Sequence, residues 1–567
     1  MNIFSEIKND IIKIVNSSLG FDDEAMLKNV AVQPSKDAKH GDMATNVAMI
    51  LARPMKNNPR VIAEKIVPAI AELPDVEKVE IAGAGFINIT FENAFWQRQV
   101  PTILADGMKY GASNIGNGEK INIEYASPNP TGPMHVGHAR GAIYGDILAN
   151  LFAHMGYSVT RESYMNDAGG QIATLIKSVY LRYREALGED IGAIPEGLYP
   201  GNYLVPVGQA LKEKYGDILT ADSPEIKPFA ISEMVKLIKA DLAKMGVYHD
   251  VFTSEQAIRD AGEVEKSIAS LEEKGCVYTG VLEAPKGKQI EDWEARPQLL
   301  FKSTDFGDDV DRPLKKSDGS WTYFAPDIAL HYNKFQRGFG KMVLVLGADH
   351  GGYTKRIKAA VKALTDGKGE VSVILCNLVK FLDNGQELKM SKRAGTFISV
   401  DEVVERVGKD VLRFMMLTRK NDAPFDFDMQ KAVEQSKDNP VFYVQYAHAR
   451  CKSVLRNAVE ISTEKGNIAL LNNPAEISLM KKMSEFPRIL ESATESYEPH
   501  RIAFYLEELA AQFHSFWNLG NDDKSLRFII EDNSELTQSR LLFVQTIASV
   551  IATGLSIMGV KAVDEMR

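Results

Sequence analysis

The chain has 567 residues, and its 66 lysines and arginines against 76 aspartates and glutamates give a formal net charge of −10 at pH 7. With 45% hydrophobic and 25% charged residues, the composition excludes fibrous and globally disordered classes. The length predicts about three to five domains. Taken alone, the acidic balance argues against a nucleic-acid partner, because phosphate binding usually accompanies net positive charge.

Cysteine content and the N-terminal segment limit the cellular compartments in which the protein is expected. Cys276, Cys376 and Cys451 lie far apart and form no CxxC pair, so we expect neither a disulfide framework nor a thiolate zinc site. A reducing cytoplasm fits this usage. The opening residues MNIFSEIKNDIIKIV carry acids among the apolar residues, which predicts an amphipathic helix and not a signal peptide.

The first part of the chain mixes helix and strand signals. Residues 61–73 have the apolar spacing of a helix, whereas residues 76–92 alternate and carry glycines at a turn, which predicts a strand pair. Residues 111–120 are rich in Gly and Asn and predict a linker. Together these signals predict a separate N-terminal region of mixed α and β structure.

The central part has the pattern of an α/β nucleotide-binding unit. A β-type run at 121–126 meets a loop with three prolines, and a helix is expected from about His135 to Met155. Residues 170–290 are mostly helical and charged. The apolar, β-branched runs at 342–349 and 371–379 suit buried parallel strands.

From about residue 400 the pattern is nearly all helical. Residues 541–560 contain no charge and are long enough to span a bilayer. Five Gln, Ser and Thr residues interrupt this stretch, so a buried core helix is favoured over a tail anchor, and we expect no membrane association.

Two histidines stand at the expected start of the helix after the proline-rich loop. His135 and His138 are three residues apart, so both imidazoles fall on one helical face. Gly132 and Gly137 allow backbone to approach a ligand, and helix N-termini favour anions, so this motif suits nucleotide phosphates. Two alternatives stay open: a helix start with two surface histidines, and a zinc site, for which no nearby third ligand is evident.

A second motif, DNGQELKMSKRAGTF, places Lys389, Lys392 and Arg393 in a five-residue window between glycines. Flexible loops of this kind close over polyanions, and clustered cations stabilise charge that develops there. The alternative is a solvated charge run. In one chain, the two motifs predict a nucleotide site built from two halves of an open sheet.

These motifs carry a resemblance to a known family. HVGH (135–138) and KMSKR (389–393) resemble the two signatures of class I aminoacyl-tRNA synthetases. Further segments resemble the catalytic core of one member, the arginyl-tRNA synthetase family: EYASPNPTGPMHVGHARGA (124–142), YMNDAGGQ (164–171), DGSWTYFAPDIA (318–329) and GADHGGY (347–353). The likeness extends over essentially the whole chain, with segments 34–49 and 82–91 resembling the family's N-terminal tRNA-binding domain and 410–417 and 441–450 its anticodon-binding domain.

The resemblance implies a domain plan and a fold class. The plan has an N-terminal tRNA D-loop-binding domain at 1–112, a class I catalytic domain at 113–400 with a helical insertion at about 175–310, and a helical linker and anticodon-binding domain at 401–567. The expected fold class is α/β, with a Rossmann-type parallel-sheet catalytic domain, an α+β N-terminal domain and an all-α C-terminal helical bundle. Departures from the family pattern are Val136 for the commoner Ile, Arg393 for Ser, and the terminal AVDEMR, which leaves the C-terminal anticodon contacts open.

Site residues follow from the same resemblance. The catalytic set comprises His135, His138, Lys389 and Lys392. The ATP-binding set comprises Gly137, Gly347, Asp349, His350, Met390 and Ser391. The arginine-binding set comprises Glu124, Ser127, Asn129, Glu255, Tyr323 and Asp327. Chemistry supports the arginine-binding set, because the planar guanidinium group of arginine pairs with carboxylates. Tyr323 and Asp327 are four residues apart and would share one face of a helical turn.

The implied reaction has two steps. The arginine carboxylate attacks the α-phosphate of ATP, supplied as its Mg²⁺ complex, and the terminal 2′-hydroxyl of tRNA then takes the arginyl group from the adenylate. Catalysis of this kind depends on alignment and charge stabilisation. Beyond the ATP-bound Mg²⁺, no protein-held metal is expected. We expect a cytoplasmic monomer.

Residues that face tRNA are expected at both ends of the chain. Residues 440–457 carry Arg450, Lys452 and Arg456 with interleaved aromatics and no acid, which suits stacking on single-stranded bases. By resemblance, the tRNA-contact set comprises Phe86, Asn88, Tyr446, Arg450 and Met566. The alternative is that some of these aromatics are core packing. Rival functions are another class I synthetase, such as the cysteinyl type, and a tRNA-binding paralogue without catalysis.

Overall fold

A computed structural model describes residues 2–35, 37–282, 296–388, 398–463 and 466–566. The chain forms two compact units. One unit combines Met1–Ser113 with Gln435–Arg567, and the other is Asn114–Glu434. The chain therefore leaves the first unit once, forms the second, and returns.

The N-terminal part of the first unit is an antiparallel sheet flanked by helices. Its elements are α1 (Ile3–Leu19), α2 (Glu24–Leu27), β1 (Val32–Pro34), β2 (Met43–Thr45), α3 (Val47–Ala52), α4 (Pro59–Ala71), β3 (Val76–Ala82), β4 (Phe86–Phe91), α5 (Asn93–Gln97) and α6 (Gln99–Asp106). The strand order is β1-β2-β4-β3. The α1 helix begins where the Asn2 side chain accepts hydrogen bonds from two backbone amides, and it ends at Gly20, whose φ of 65° is left-handed. The expected amphipathic helix and strand pair are both present.

The second unit contains the parallel sheet. Its first elements are β5 (Lys120–Glu124), α7 (Ala139–His154), β6 (Ser158–Met165), α8 (Gly170–Ala186), α9 (Val205–Tyr215), α10 (Ile226–Lys244), β7 (Val251–Ser254), α11 (Glu255–Asp260), α12 (Glu263–Glu273), β8 (Val277–Gly280), β9 (Gln298–Phe301) and β10 (Arg312–Pro313). The rest are α13 (Phe324–Gln336), β11 (Lys341–Gly347), α14 (Tyr353–Leu364), β12 (Glu370–Cys376), β13 (Val379–Asp383), β14 (Gln386–Glu387), α15 (Val400–Val407), α16 (Lys409–Met415), β15 (Phe425–Asp428) and α17 (Met429–Ala432).

Five strands of this unit pair in parallel in the order β12-β11-β5-β6-β7. The strand order reverses between β5 and β11, because the chain builds outward from β5 first on one side and then on the other. Open α/β sheets bind ligands at the carboxyl ends of the strands at such a switch point. The predicted Rossmann-type parallel sheet is confirmed, and its switch point lies between the ends of β5 and β11.

The residues between about 175 and 310 have a composite structure. Helices α9 and α10 come first, and the antiparallel strands β8 and β9 come later. Between them, β7 pairs with β6 as an edge strand of the main sheet. The predicted insertion range therefore includes one strand of the nucleotide-binding fold itself.

The C-terminal part of the first unit is helical: α18 (Pro440–Asn457), α19 (Pro474–Ser484), α20 (Phe486–Glu495), α21 (His500–Asp522) and α22 (Ser534–Ile557). By length and composition α22 is apolar enough to cross a membrane, yet 72% of its apolar window is buried. It packs against α18, α21 and α6. This burial favours the core-helix interpretation of the uncharged stretch.

The N- and C-terminal parts of the first unit are held together by polar and aromatic contacts. The Tyr110 hydroxyl donates to the Met483 carbonyl over 3.1 Å, and its ring stacks on Phe486. Lys481 forms an ion pair with Asp42, which lies beside β2. The two ends of the sequence therefore share one core.

Candidate functional site

The histidine motif lies in the loop between β5 and α7. One turn of 3-10 helix, Val136–His138, leads into α7, which begins at Ala139, four residues later than the predicted start at His135. The imidazoles of His135 and His138 stack with ring centroids 3.8 Å apart, as their spacing predicts. The Gly137 amide donates to His135 Nδ1 over 3.1 Å, which places the His135 proton on Nε2. A Cβ at position 137 would lie 2.8 Å from the His135 ring, so glycine is required by this close packing.

The segment that follows the second motif returns to this loop. The Val136 amide donates to the Ile398 carbonyl over 3.0 Å, and the Val400 amide donates to the Met134 carbonyl over 3.2 Å. Ser399 then caps α15 in a reciprocal capping box. The predicted residues Lys389, Met390, Ser391, Lys392 and Arg393 lie outside the described residues. The chain on their C-terminal side is nevertheless hydrogen-bonded to the histidine motif.

The end of β11 forms the other side of the switch point. Gly347 is the last residue of β11, and Asp349 and His350 follow in one turn of 3-10 helix before α14. Both side chains are exposed, with His350 Nε2 3.8 Å from an Asp349 carboxylate oxygen. This exposure leaves them accessible to a ligand held above the sheet.

Glu124 and Ser127 are fixed at the end of β5. Glu124 is buried and forms an ion pair with Lys334, whose side chain is fully buried. The Ser127 hydroxyl donates to Glu124 over 3.1 Å and accepts from the Tyr164 amide over 2.9 Å. Both Glu124 oxygens therefore have partners from the protein. Asn129, farther along the loop, donates to the Gln171 side chain over 2.9 Å.

Helix α13 carries two charged residues of the candidate site, Asp327 and Lys334. Tyr323 precedes the helix and is 70% exposed, with Lys316 Nζ 4.7 Å from its ring centroid. Asp327 lies in the first turn and is half-buried, and the Tyr353 hydroxyl hydrogen-bonds to it. Two turns farther along the same helix, Lys334 reaches Glu124. Helix α13 thus supplies the carboxylate of Asp327 and also Lys334, the cation that neutralises Glu124.

Glu255 adds a third carboxylate. It is the first residue of α11 and is buried, and its Oε1 accepts from Arg259 Nε over 2.8 Å and Nη2 over 2.5 Å. Burial and the charges of Asp327, Glu255 and Glu124 together raise the pKa of Tyr164. These three predicted arginine-binding carboxylates therefore surround one tyrosine at the carboxyl end of the sheet.

Asp327 differs from its two neighbours in having no ion pair with a lysine or arginine among the described residues. Burial, with further contributions from Glu255 and Glu124, raises its pKa to about 7, although the Tyr353 hydrogen bond opposes that rise. A cation bound beside Asp327 would displace its proton, because opposite charge favours the ionised carboxylate. The charge of Arg356 also opposes the rise, and the Asp327 carboxyl is about half ionised at neutral pH.

A buried ion pair supports the sheet beneath this pocket. Glu162, in the middle of β6, is fully buried and accepts from Arg337 over 2.9 and 2.7 Å, as well as from Asn122 and Thr253. Burial alone would raise the pKa of Glu162, but Lys334, Thr253 and Arg337 hold it below its ordinary value. This ionised residue fixes β5, β6 and β7 to one another through side chains.

An aromatic cluster surrounds Arg450 on α18. Its guanidinium lies 4.2 Å from the Tyr446 ring centroid and 4.9 Å from that of Trp517, and it donates to His514 Nδ1 over 3.0 Å. Phe442 stacks on Tyr446 with centroids 5.7 Å apart. All of the α18 members are half-buried, so their ring faces are partly available for stacking. Met566 is also half-buried and ends the described chain.

A pocket of about 440 Å³ lies on the N-terminal sheet. Phe86 stands at its edge and is 43% exposed, whereas Asn88, two residues along β4, is buried. A phenylalanine exposed beside a pocket is unusual for a strand residue with a purely structural role. The lining residues are Ala31, Gln33, Pro34, Ser35, His40, Ala44, Asn46, Ala82, Gly83, Phe86 and Asn88.

Three family models match parts of this chain. Residues 2–91 match the arginyl tRNA synthetase N terminal domain, 99–192 the class I (R) tRNA synthetase catalytic domain, and 444–566 the DALR anticodon binding domain. A relative named arginine--tRNA ligase from Parvibaculum lavamentivorans is 54% identical over 95% of both chains. Another of that name from Ruegeria pomeroyi is 52% identical over the full length of both. The chain belongs to the arginyl-tRNA synthetase family.

Solved structures agree with this assignment. A putative arginyl-tRNA synthetase from Campylobacter jejuni is 31% identical, with a TM-score of 0.73, and covers 84% of this chain and all of its own. The Thermus thermophilus arginyl-tRNA synthetase, 20% identical, has the same fold with a TM-score of 0.75 over 99% of this chain. Membership of the family implies ATP use, and it makes tRNA and arginine the expected partners.

Several residues of the candidate site were not found from the sequence. Lys334 and Tyr353 contact the predicted acceptors Glu124 and Asp327, and Tyr164 lies among the carboxylates. Tyr164 and Tyr353 begin and end segments whose resemblance to the family was already noted, so that signal was present. Trp517 and His514 lie on α21, and nothing in the local pattern of α18 indicates them.

The pKa of Asp327 predicts a pH dependence of arginine binding. Below about pH 7 this carboxyl is mostly protonated and offers no charge to a guanidinium, and above it the charge is present. We expect the KM for arginine to fall about tenfold from pH 6 to pH 8, with little change in the KM for ATP. Pyrophosphate exchange at saturating tRNA measures both constants. An arginine KM that is flat across this range would contradict the assignment of Asp327 to the guanidinium.

Proposed function

We propose that this chain is an arginine–tRNA ligase whose amino-acid pocket is formed by Glu124, Glu255 and Asp327. The observation that carries the proposal is the placement of three carboxylates around Tyr164, at the same edge of the sheet as the stacked histidines. Two of the acids have protein cations, and Asp327 supplies the remaining negative charge for a guanidinium. Tyr323, Ser127 and Asn129 complete the proposed pocket.

The first step forms arginyl-adenylate. The carboxylate of arginine attacks the α-phosphate of ATP, the bond to the β-phosphate breaks, and pyrophosphate leaves. His135 and His138 contact phosphate in this proposal, and Gly137, Gly347, Asp349 and His350 bind the nucleotide. Lys389 and Lys392 neutralise the leaving pyrophosphate, with Met390 and Ser391 beside them. Mg²⁺ enters with ATP and offsets the phosphate charge.

The second step transfers arginine to RNA. The 2′-hydroxyl of the terminal adenosine attacks the activated carbonyl, and AMP leaves. Phe86 and Asn88 bind the D-loop, and Tyr446, Arg450 and Met566 bind the anticodon loop. The arrangement of Arg450 between two rings supports this role, because splayed bases stack on aromatic and guanidinium planes. We further propose that the enzyme acts as a cytoplasmic monomer.

Aminoacylation of total tRNA with each of the twenty amino acids tests the function. We expect charging with arginine alone, and only when ATP and Mg²⁺ are present. Lys392→Ala, purified in parallel, controls for contaminating host enzyme and is expected to lose charging by orders of magnitude, because one pyrophosphate-neutralising cation is gone. Charging with another amino acid, or equal activity in the two preparations, would overturn the proposal.

A further inference from the structure

The last described residues of the chain lie along α18. The Gln445 side chain donates to the Lys561 carbonyl over 3.0 Å, His448 Nδ1 donates to the Val563 carbonyl over 2.8 Å, and Arg456 Nη1 donates to the Asp564 carbonyl over 2.9 Å. Three side chains of one helix therefore hold the backbone of residues 561–564. We call residues 561–566 the tail.

The tail brings two acids to the cations of α18. Asp564 lies 3.7 Å from Lys452 Nζ, and Glu565 lies 3.7 Å from Arg456 Nε. The sequence of α18 itself contains no acid, so the acids nearest to Lys452 and Arg456 come from the tail. Of its three cations, Arg450 stacks between Tyr446 and Trp517, and the other two are paired by the tail.

These two kinds of cation would treat RNA differently. A cation stacked on rings contributes to binding of a base, whereas exposed lysine and arginine side chains bind phosphates of any sequence. Phosphate contacts do not depend on sequence and make affinity fall steeply with salt. A non-cognate RNA can shift until a phosphate meets a free cation, whereas a cognate loop held by stacked bases has one register and gains less from that cation. An acid beside such a cation lowers non-specific attraction and leaves base stacking unchanged.

We propose that Asp564 and Glu565 are specificity determinants for RNA: they neutralise Lys452 and Arg456, so that binding at α18 depends on bases stacked at the Tyr446–Arg450–Trp517 cluster and not on backbone phosphate. The inference rests on the proposed tRNA function of this cluster. It assigns the acids of the tail a role that is separate from any contact made by Met566.

The double variant Asp564→Asn/Glu565→Gln tests it, because it removes both charges and keeps the backbone hydrogen bonds and Met566. We expect the full-length variant to bind non-cognate tRNA transcripts about tenfold more tightly at low salt, and arginine tRNA only two- to threefold more tightly. The slope of log K against log salt should steepen by about 1.4, or about 0.7 for each cation released to single-stranded phosphate. Fluorescence anisotropy with labelled transcripts measures both quantities.

The matched control is Glu531→Gln/Asp532→Asn, which makes the same charge change at exposed acids between α21 and α22. This control variant should keep the wild-type ratio of affinities for arginine tRNA and non-cognate tRNA, and the wild-type slope of log K against log salt. Equal effects of the two double variants, or no effect of either, would overturn the inference. Tyr446→Ala distinguishes this from failure of the proposed function: if wild type binds arginine tRNA and Tyr446→Ala weakens it, the cluster binds RNA whatever the tail variant does.

Discussion

Replacing Asp327 with asparagine should raise the KM for arginine by about two orders of magnitude, since loss of one partner from a hydrogen-bonded charge pair costs about 2–5 kcal/mol. The KM for ATP should change by less than about threefold, because Asp327 lies on α13 and not at the ends of β5 and β11. Asparagine keeps the side-chain volume, so the change isolates the charge.

The same variant should be more stable than wild type at alkaline pH. The pKa of Asp327 is about 7 in the folded protein and about 3.8 in an unfolded chain, so the folded state favours the protonated form. Below about pH 4 the Asp327 carboxyl is protonated in both states and does not lower the free energy of unfolding. As pH rises from about 4 to about 7, its ionisation in the unfolded chain lowers that free energy progressively. We expect the variant's melting temperature to exceed that of wild type by a few degrees at pH 8.5, and to match it near pH 4.

Thermal unfolding at several pH values and pyrophosphate exchange measure the two effects independently. Asp349→Asn, which alters an exposed carboxylate at the end of β11, is the matched control for stability. A variant with lower stability at pH 8.5, or with parallel losses for arginine and ATP, would show that Asp327 has a structural role instead.

The second large effect is expected at Lys334. Lys334→Met should destabilise the second unit by about 3–5 kcal/mol, because removal of one member of a buried ion pair leaves an uncompensated charge. Methionine fills a similar volume, so a cavity does not explain the loss. Adding Glu124→Gln to this variant removes the unpaired charge and should restore most of the stability, but not arginine activation.

Urea unfolding monitored by circular dichroism checks this prediction, with Lys358→Met, an exposed lysine on α14, as the matched control. If Lys334→Met and Lys358→Met have similar midpoints, the ion pair makes no net contribution. If the double variant is as unstable as Lys334→Met, an uncompensated charge on Glu124 does not explain the loss of stability.

The sequence predicted local features well because they depend on local periodicity. The strand pair of the N-terminal region, the parallel strands at 342–349 and 371–379 and the shared face of His135 and His138 all follow from spacing within a few residues. Family resemblance then indicated which acids to examine. Neither source shows that a lysine in the last turn of α13 is fully buried, since lysine in a helix is ordinarily solvent-facing.

Long-range pairings account for the rest. Trp517 and Lys334 meet their partners across more than 60 residues of chain, and Asp564 meets Lys452 across more than 100. The net charge of −10 was misleading for a related reason. Only the fold shows which cations lie beside acids. Whether a protein binds nucleic acid depends on the local arrangement of its charges and not on its net charge.

The shared core of the first unit has a consequence for synthesis of the protein. Its two halves are separated by more than 300 residues, and Tyr110 packs against Met483 and Phe486 only when the second half exists. At ribosomal rates of about 5–20 residues per second, the first 113 residues emerge roughly 15–60 s before their partner helices. During that interval the N-terminal segment lacks the partner helices that cover Tyr110 in the folded unit. Chaperone dependence of the nascent chain should therefore concentrate at its beginning, and end only when α19 to α22 have left the ribosome.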